Sequence, residues 1–161
     1  MRRKLVVLAV LMSLSAVSLA QGQLPPAVMQ QLQKQVEIGD GDVLYVDFWA
    51  SWCAPCRKSF PWMNQMHNKF AARGFKVVAI NVDQERALAD KFLHDVPVQF
   101  PVIYDREGKL AKQFKVKGMP SSYLIDSDGN IKSAHKGFFE KNTQQYEEEI
   151  LSLLNVKRVV E

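Results

Sequence analysis

The sequence predicts an α/β domain built on a central mixed β-sheet flanked by helices, and three observations carry that reading. Val43 to Trp49 (VLYVDFW) and Lys76 to Val82 (KVVAINV) are mostly apolar runs rich in β-branched and aromatic residues, the composition of strands buried on both faces. A segment of helical length lies between them, which asks for a parallel strand–helix–strand unit. Towards the C-terminus, Asp126-Ser127-Asp128-Gly129-Asn130 offers hairpin-turn chemistry between two short strand-like segments, which adds antiparallel strands.

The chain has 161 residues, enough for one domain, and 47% hydrophobic residues, enough for a core. Its N-terminus reads as an export signal. Arg2, Arg3 and Lys4 precede an uncharged apolar run from Leu5 to Leu19, and Ser18 and Ala20 are the small residues that a cut after Ala20 requires. The alternative is a membrane anchor formed by residues 5–19, although the run is shorter than the roughly twenty residues of a spanning helix. The expected division is a signal peptide over 1–20, an N-terminal extension over 21–42 and the main domain over 43–161. The full chain has a net charge of +4, and three basic residues but no acidic ones precede Gln21. The remainder is nearly neutral, which argues against nucleic acid or an anionic membrane as a partner.

Within 21–42, Pro25-Pro26 starts a helix expected over Ala27 to Ile38, with Val28, Leu32 and Val36 as its stripe, until Gly39-Asp40-Gly41-Asp42 breaks it. The first strand follows, then the turn Ala50-Ser51-Trp52 and a long helix from about Cys53 to Arg73 that Gly74 ends and Pro61 kinks. After the second strand, Gln84 to His94 is helical, with Leu88, Phe92 and Leu93 on one side. Pro101 to Tyr104 is a short strand, and Lys109 to Phe114 a short helix with Leu110 and Phe114 at spacing four. Ser122 to Ile125 and Ile131 to Lys136 form the hairpin. The last helix starts near Asn142, where Gln145 resembles the second half of a capping box, and it buries Tyr146, Ile150, Leu153 and Leu154.

There are two cysteines, Cys53 and Cys56. A loop this small gains little stability from a cross-link. A zinc site normally takes four ligands, and His67, His94 and His135 are scattered, so no metal is expected. An adjacent pair in an exported chain points to redox chemistry. Exchange needs a thiolate, and a free cysteine is mostly protonated at neutral pH. Cys53 begins a helix, whose unpaired N–H groups and dipole favour the thiolate, with Arg57 and Lys58 a turn further on. Cys56, three residues later on the same helical face, is the resolving thiol.

The segment from Val46 to Arg57, VDFWASWCAPCR, resembles the active-site segment of thioredoxins, and Gly118-Met119-Pro120 followed by Ser122-Tyr123-Leu124-Ile125-Asp126 resembles the second signature of that family. The likeness covers roughly Val43 to Leu154. The FPVIYD segment and the signal peptide are more similar to the exported TlpA/ResA-like branch. The resemblance implies a thioredoxin fold and a protein-disulfide reductase needing no cofactor. It implies that the bond before Pro120 is cis and that the backbone of Met119 pairs with a client chain. Trp52, with Ala54 and Pro55, is the expected partner-facing surface, while Trp49, Pro61 and Trp62 are architecture.

The resemblance also makes Asp47 the family's buried acid. A carboxylate in a buried strand has its pKa raised, which suits proton exchange with the Cys56 thiol. The lysine that usually accompanies this acid is replaced by Ala79, and the glutamate of the ResA type after the second cysteine by Ser59. His94 and His135 carry no assignment. The rival functions are an oxidase or isomerase, a copper- or protein-binding module and a peroxidase. The CxxC spacing disfavours copper, and Ala54-Pro55 lacks the histidine of strong oxidants. The expected partners are disulfide-containing client proteins and a membrane electron donor, the expected state a monomer, and the expected location the periplasm or another exported compartment. Cytochrome c maturation is the process this implies.

Overall fold

The computed structural model describes residues 22–39 and 41–160, so the expected signal peptide lies outside the described residues. The elements run α1 (Pro26–Gln35), β1 (Val43–Trp49), α2 (Ala54–Phe70), β2 (Phe75–Asn81), α3 (Arg86–Asp95), β3 (Val102–Tyr104), α4 (Lys109–Gln113), β4 (Ser121–Ile125), β5 (Ile131–Lys136) and α5 (Thr143–Val160). One five-stranded sheet has the order β3-β2-β1-β4-β5. β1 pairs in parallel with β2, and β2 with β3, whereas β4 is antiparallel to both β1 and β5. This is the thioredoxin fold, with the mixed sheet that the sequence predicts.

Every residue of β1 is buried because both sheet faces are covered. Tyr45 and Trp49 point into one core with α2, α3 and α5, containing Phe60, Trp62, Phe92, Tyr146 and Ile150. Leu44, Val46 and Phe48 point into the other, with α1 and α4, containing Leu32, Ile80, Leu110 and Phe114. The strand period of two sorts the side chains between the layers. Residues before β1 belong to the second core: Leu24, Val28, Leu32 and Val36 are buried there, and Gln23 bridges to Asn130.

Several expectations are corrected, the helix boundaries by one to three residues. α1 stops at Gln35, because Val36 is already extended at φ −140°. Cys53 does not lie inside α2 but caps it, and α2 ends at Phe70, followed by a 3-10 turn over Ala71–Arg73. α2 continues through Pro61, which lacks the N–H to complete the turn back to Arg57. In α3, Ala89 and Phe92 face the core while Leu88 is exposed. The Gln145 side chain reaches forward to Glu149 instead of back to Asn142, so no capping box forms there.

Gly74 closes the turn before β2 at φ 77°, a left-handed conformation in which a Cβ is crowded. Gly74→Ala is expected to destabilise the oxidised protein by about 1 kcal/mol, measured as a lower urea midpoint with an unchanged slope.

Candidate active site

β1 delivers the chain to the point where strand becomes helix. The turn that follows is tied down by Asp83 at the end of β2. Its carboxylate accepts from the Ser51 N–H at 2.8 Å, the Ser51 hydroxyl at 2.9 Å and the Asn81 amide at 2.8 Å. The Cys53 N–H donates to the Ala50 carbonyl at 3.0 Å. Local spacing in the sequence does not single out Ser51, Asn81 or Asp83 as site residues. An acid just past the C-terminal end of a parallel strand, where open α/β sheets place their sites, is the signal that points to Asp83.

Cys53 and Cys56 are joined as a disulfide, with Cα atoms 5.3 Å apart. Cys53 is the N-cap of α2, and its Sγ accepts from the Cys56 N–H at 3.3 Å. A backbone donor aimed at that sulfur at a helix N-terminus stabilises negative charge on it once the bond is opened. Arg57 and Lys58 do not contribute as expected. The Arg57 guanidinium lies over the Phe92 ring at 4.6 Å and 3.8 Å from Asp95, and the Lys58 ammonium is 3.7 Å from Glu140. Their head groups are directed to the flanks of α2, where aromatic and acidic partners hold them.

The apolar rim around the pair is uneven. Trp52 is 70% exposed, and Ala54 and Pro55 are exposed, while both cysteines are buried. The Met119–Pro120 bond is cis. The Pro120 carbonyl accepts from Gly137 N–H at 2.8 Å, which ties it to the end of β5, and Ser121 Oγ donates to the Gly118 carbonyl at 2.6 Å. Met119 is half-buried and packs against both cores. Trp49 is fully buried among Phe60 and Phe92.

Asp47 lies in the middle of β1, on the face shared by Tyr45 and Trp49, and is 1% exposed. Its cross-strand neighbours are Ala79 and Ser122, so the position expected to lack a lysine does lack one. Its Oδ2 is buried with no hydrogen-bond partner among the described residues. Burial alone pushes the carboxyl well above the ordinary carboxylate range. Burial also pushes Tyr45 up, with the Asp47 charge as the second cause. Ser59, in place of a second acid, is buried and donates to the Cys56 carbonyl at 3.1 Å. The site thus combines an N-capping sulfur, a second sulfur below it and one isolated buried carboxyl, a set suited to thiol–disulfide exchange.

Known proteins are similar to this chain. The redoxin family model matches residues 20–150. The thiol-disulfide oxidoreductase ResA of Bacillus thuringiensis subsp. konkukian is 33% identical over 127 residues, which cover 77% of this chain and 72% of that protein. The ResA of Bacillus subtilis is 31% identical over 100 residues, covering 61% of this chain and 56% of its own. A crystal structure of a thiol:disulfide interchange protein DsbE from Chlorobium tepidum is 47% identical with a TM-score of 0.71, over 76% of this chain and 84% of that one. StoA from Bacillus subtilis is 26% identical with a TM-score of 0.60, over 68% and 83%. The CxxC pair at the strand–helix junction is therefore a redox-active centre, and the chain belongs to the redoxin family, among its thiol–disulfide oxidoreductases.

Proposed function

We propose that the protein is an exported reductase of protein disulfides that acts in the periplasm or an equivalent compartment, is re-reduced by a membrane electron donor and serves cytochrome c maturation. The observation that carries the chemistry is the Cys53 sulfur, capping α2 and accepting from the Cys56 N–H. The reducing direction is supported by Ala54-Pro55, which places no histidine between the cysteines. Export is supported by the charged start and apolar run of residues 2–19. Among the described residues, no helix is long and apolar enough to cross a membrane.

In the reaction, the Cys53 thiolate attacks one sulfur of a client disulfide. The client S–S bond breaks, a Cys53–client bond forms, and the other client sulfur leaves as a thiolate and takes a proton. The Cys56 thiol then gives its proton to Asp47 and attacks Cys53 Sγ, releasing the second client sulfur. Two electrons have passed to the client, and the enzyme holds its disulfide. Trp52 offers apolar contact, and the Met119 backbone beside the cis-proline pairs with the client strand.

The test of direction is a reduction potential measured against glutathione and dithiothreitol. A value nearer the roughly −270 mV of thioredoxin than the roughly −120 mV of a strong oxidant is expected; the opposite result makes the protein an oxidase. Trp52→Ala is expected to raise KM for a protein disulfide about tenfold. Turnover of a small disulfide and the melting temperature should stay unchanged, because the side chain is mostly in solvent.

A further inference from the structure

Asp47 is closed off from solvent, so every proton it trades with Cys56 must also find a way in or out. On the β2 side its neighbour is Ala79, which cannot carry one. On the other side the polar residues continue. Asp47 is paired with Ser122 on β4, and Ser122 with His135 on β5. Directly opposed residues of antiparallel strands point to one face with Cβ atoms roughly 5 Å apart. The three side chains therefore stand in a line across the sheet, beneath α2 and α5.

The line continues onto α5. His135 Nε2 is 3.0 Å from Glu149 Oε2, which also accepts from Ser133 Oγ at 2.7 Å, while Glu149 Oε1 accepts from Gln145 Nε2 at 3.0 Å. The His135 and Glu149 side chains are 16% and 25% exposed, so solvent is reached at the β5–α5 edge. Two buried polar atoms on the line have no hydrogen-bond partner, Asp47 Oδ2 and His135 Nδ1, and Ser122 lies between their strands. Such orphans are uncommon in folded proteins. The Ser122 hydroxyl accepts from Tyr45 OH at 2.8 Å, which leaves its own hydrogen to donate. The other titratable groups packed around the line are Tyr45, the cysteine pair of α2 and Tyr146, whose ring lies 4.6 Å from that of His135. The α2 cations Lys58 and Lys69 are paired with Glu140 and Glu147.

We propose that Ser122, His135 and Glu149 form a proton route between Asp47 and solvent, which makes them positioning residues for the step in which Cys56 resolves the mixed disulfide. The proposal rests on the exchange reading above and on Asp47 as the proton partner of Cys56. The contact with Glu149 places a hydrogen on Nε2, and in the neutral imidazole Nδ1 is then the acceptor. Neither orphaned atom is hydrogen-bonded to Ser122 in this disulfide form, so transfer requires the side chains to turn into contact: the Asp47 carboxyl then gives its proton to the Ser122 oxygen as the serine passes its own hydrogen to His135 Nδ1. The imidazole then releases the Nε2 hydrogen to the Glu149 carboxylate, and from there it goes to water. The reverse sequence reloads Asp47.

Reduced protein mixed with a chromogenic aryl disulfide such as dithiobis-nitrobenzoate separates the two steps. The first release of dye reports attack by Cys53 and the second reports attack by Cys56. His135→Gln, which keeps an N–H for Glu149, and Ser122→Ala, on another strand, are both expected to slow the second phase about tenfold. The first phase should stay within about twofold, and added imidazole should restore the second phase in His135→Gln. An unchanged second phase in both variants, or equal slowing of both phases, overturns the route. A wild-type first phase no faster than that of a free thiol overturns the exchange reading itself.

Discussion

Cys53→Ser is expected to abolish reduction of insulin-type disulfides, a loss of at least about a thousandfold in kcat/KM. A serine hydroxyl is too weak a nucleophile to attack a disulfide sulfur, and no other cysteine can take over, because Cys56 is the second of two and is fully buried below the cap. Cys56→Ser has a different expected outcome. Cys53 still attacks, but nothing resolves the product, so a covalent complex with a client accumulates and runs as a shifted band on a non-reducing gel. Residual turnover in Cys53→Ser above a tenth of wild type, or no trapped complex in Cys56→Ser, would show that the assignment of roles is wrong.

Asp47→Asn is expected to separate catalysis from stability. If Asp47 takes the Cys56 proton as proposed, the amide removes that partner and the resolving step slows by about a hundredfold, the lower range of general acid–base effects. Stability moves the other way. Asp47 is buried with Oδ2 unpartnered, and burial raises its folded pKa well above the ordinary 3.8. Over the window from 3.8 up through the raised folded value, the native state holds a proton that the unfolded chain has released. Stability therefore falls as pH rises through that window. The variant lacks this slope. It is expected to match wild type near pH 4 and to exceed it at neutral pH by about 2 kcal/mol, the scale set by mutation for a buried polar group without a partner. This would appear as a melting-temperature difference that grows with pH. A constant difference across pH would mean that Asp47 titrates normally and is not the isolated acid described here.

The same carboxyl shows how far the sequence could be read. A single acid in VLYVDFW stands out because every neighbour is apolar, and the strand on which it sits was legible from composition and length. That Ala79 faces it follows from register, which the structure bears out. The redox-active pair was legible because it stands where a strand hands over to a helix. What surrounds these groups was harder to see. Arg57 and Lys58 looked like electrostatic support for Cys53, because sequence spacing says only that they are one turn away. Their head groups are instead held by Phe92, Asp95 and Glu140, residues 35 to 82 positions further along. Asp83 binding Ser51 is likewise a contact between β2 and the turn after β1.

By itself, the sequence determined which segments are buried strands, where the reactive helix starts and which two sulfurs carry the electrons. These depend on local period, turn residues and helix capping, and all act within a few residues of chain. Only the tertiary structure decided what lies beside Asp47 and what reaches it. Ser122, His135 and Glu149 come from two strands and a helix, and nothing in their local spacing relates them. They share one face because β4 and β5 pair in a particular register and α5 packs across it. Register and packing are set by the burial of the whole apolar set at once, so a line of polar side chains across the sheet becomes visible only when the strands are side by side.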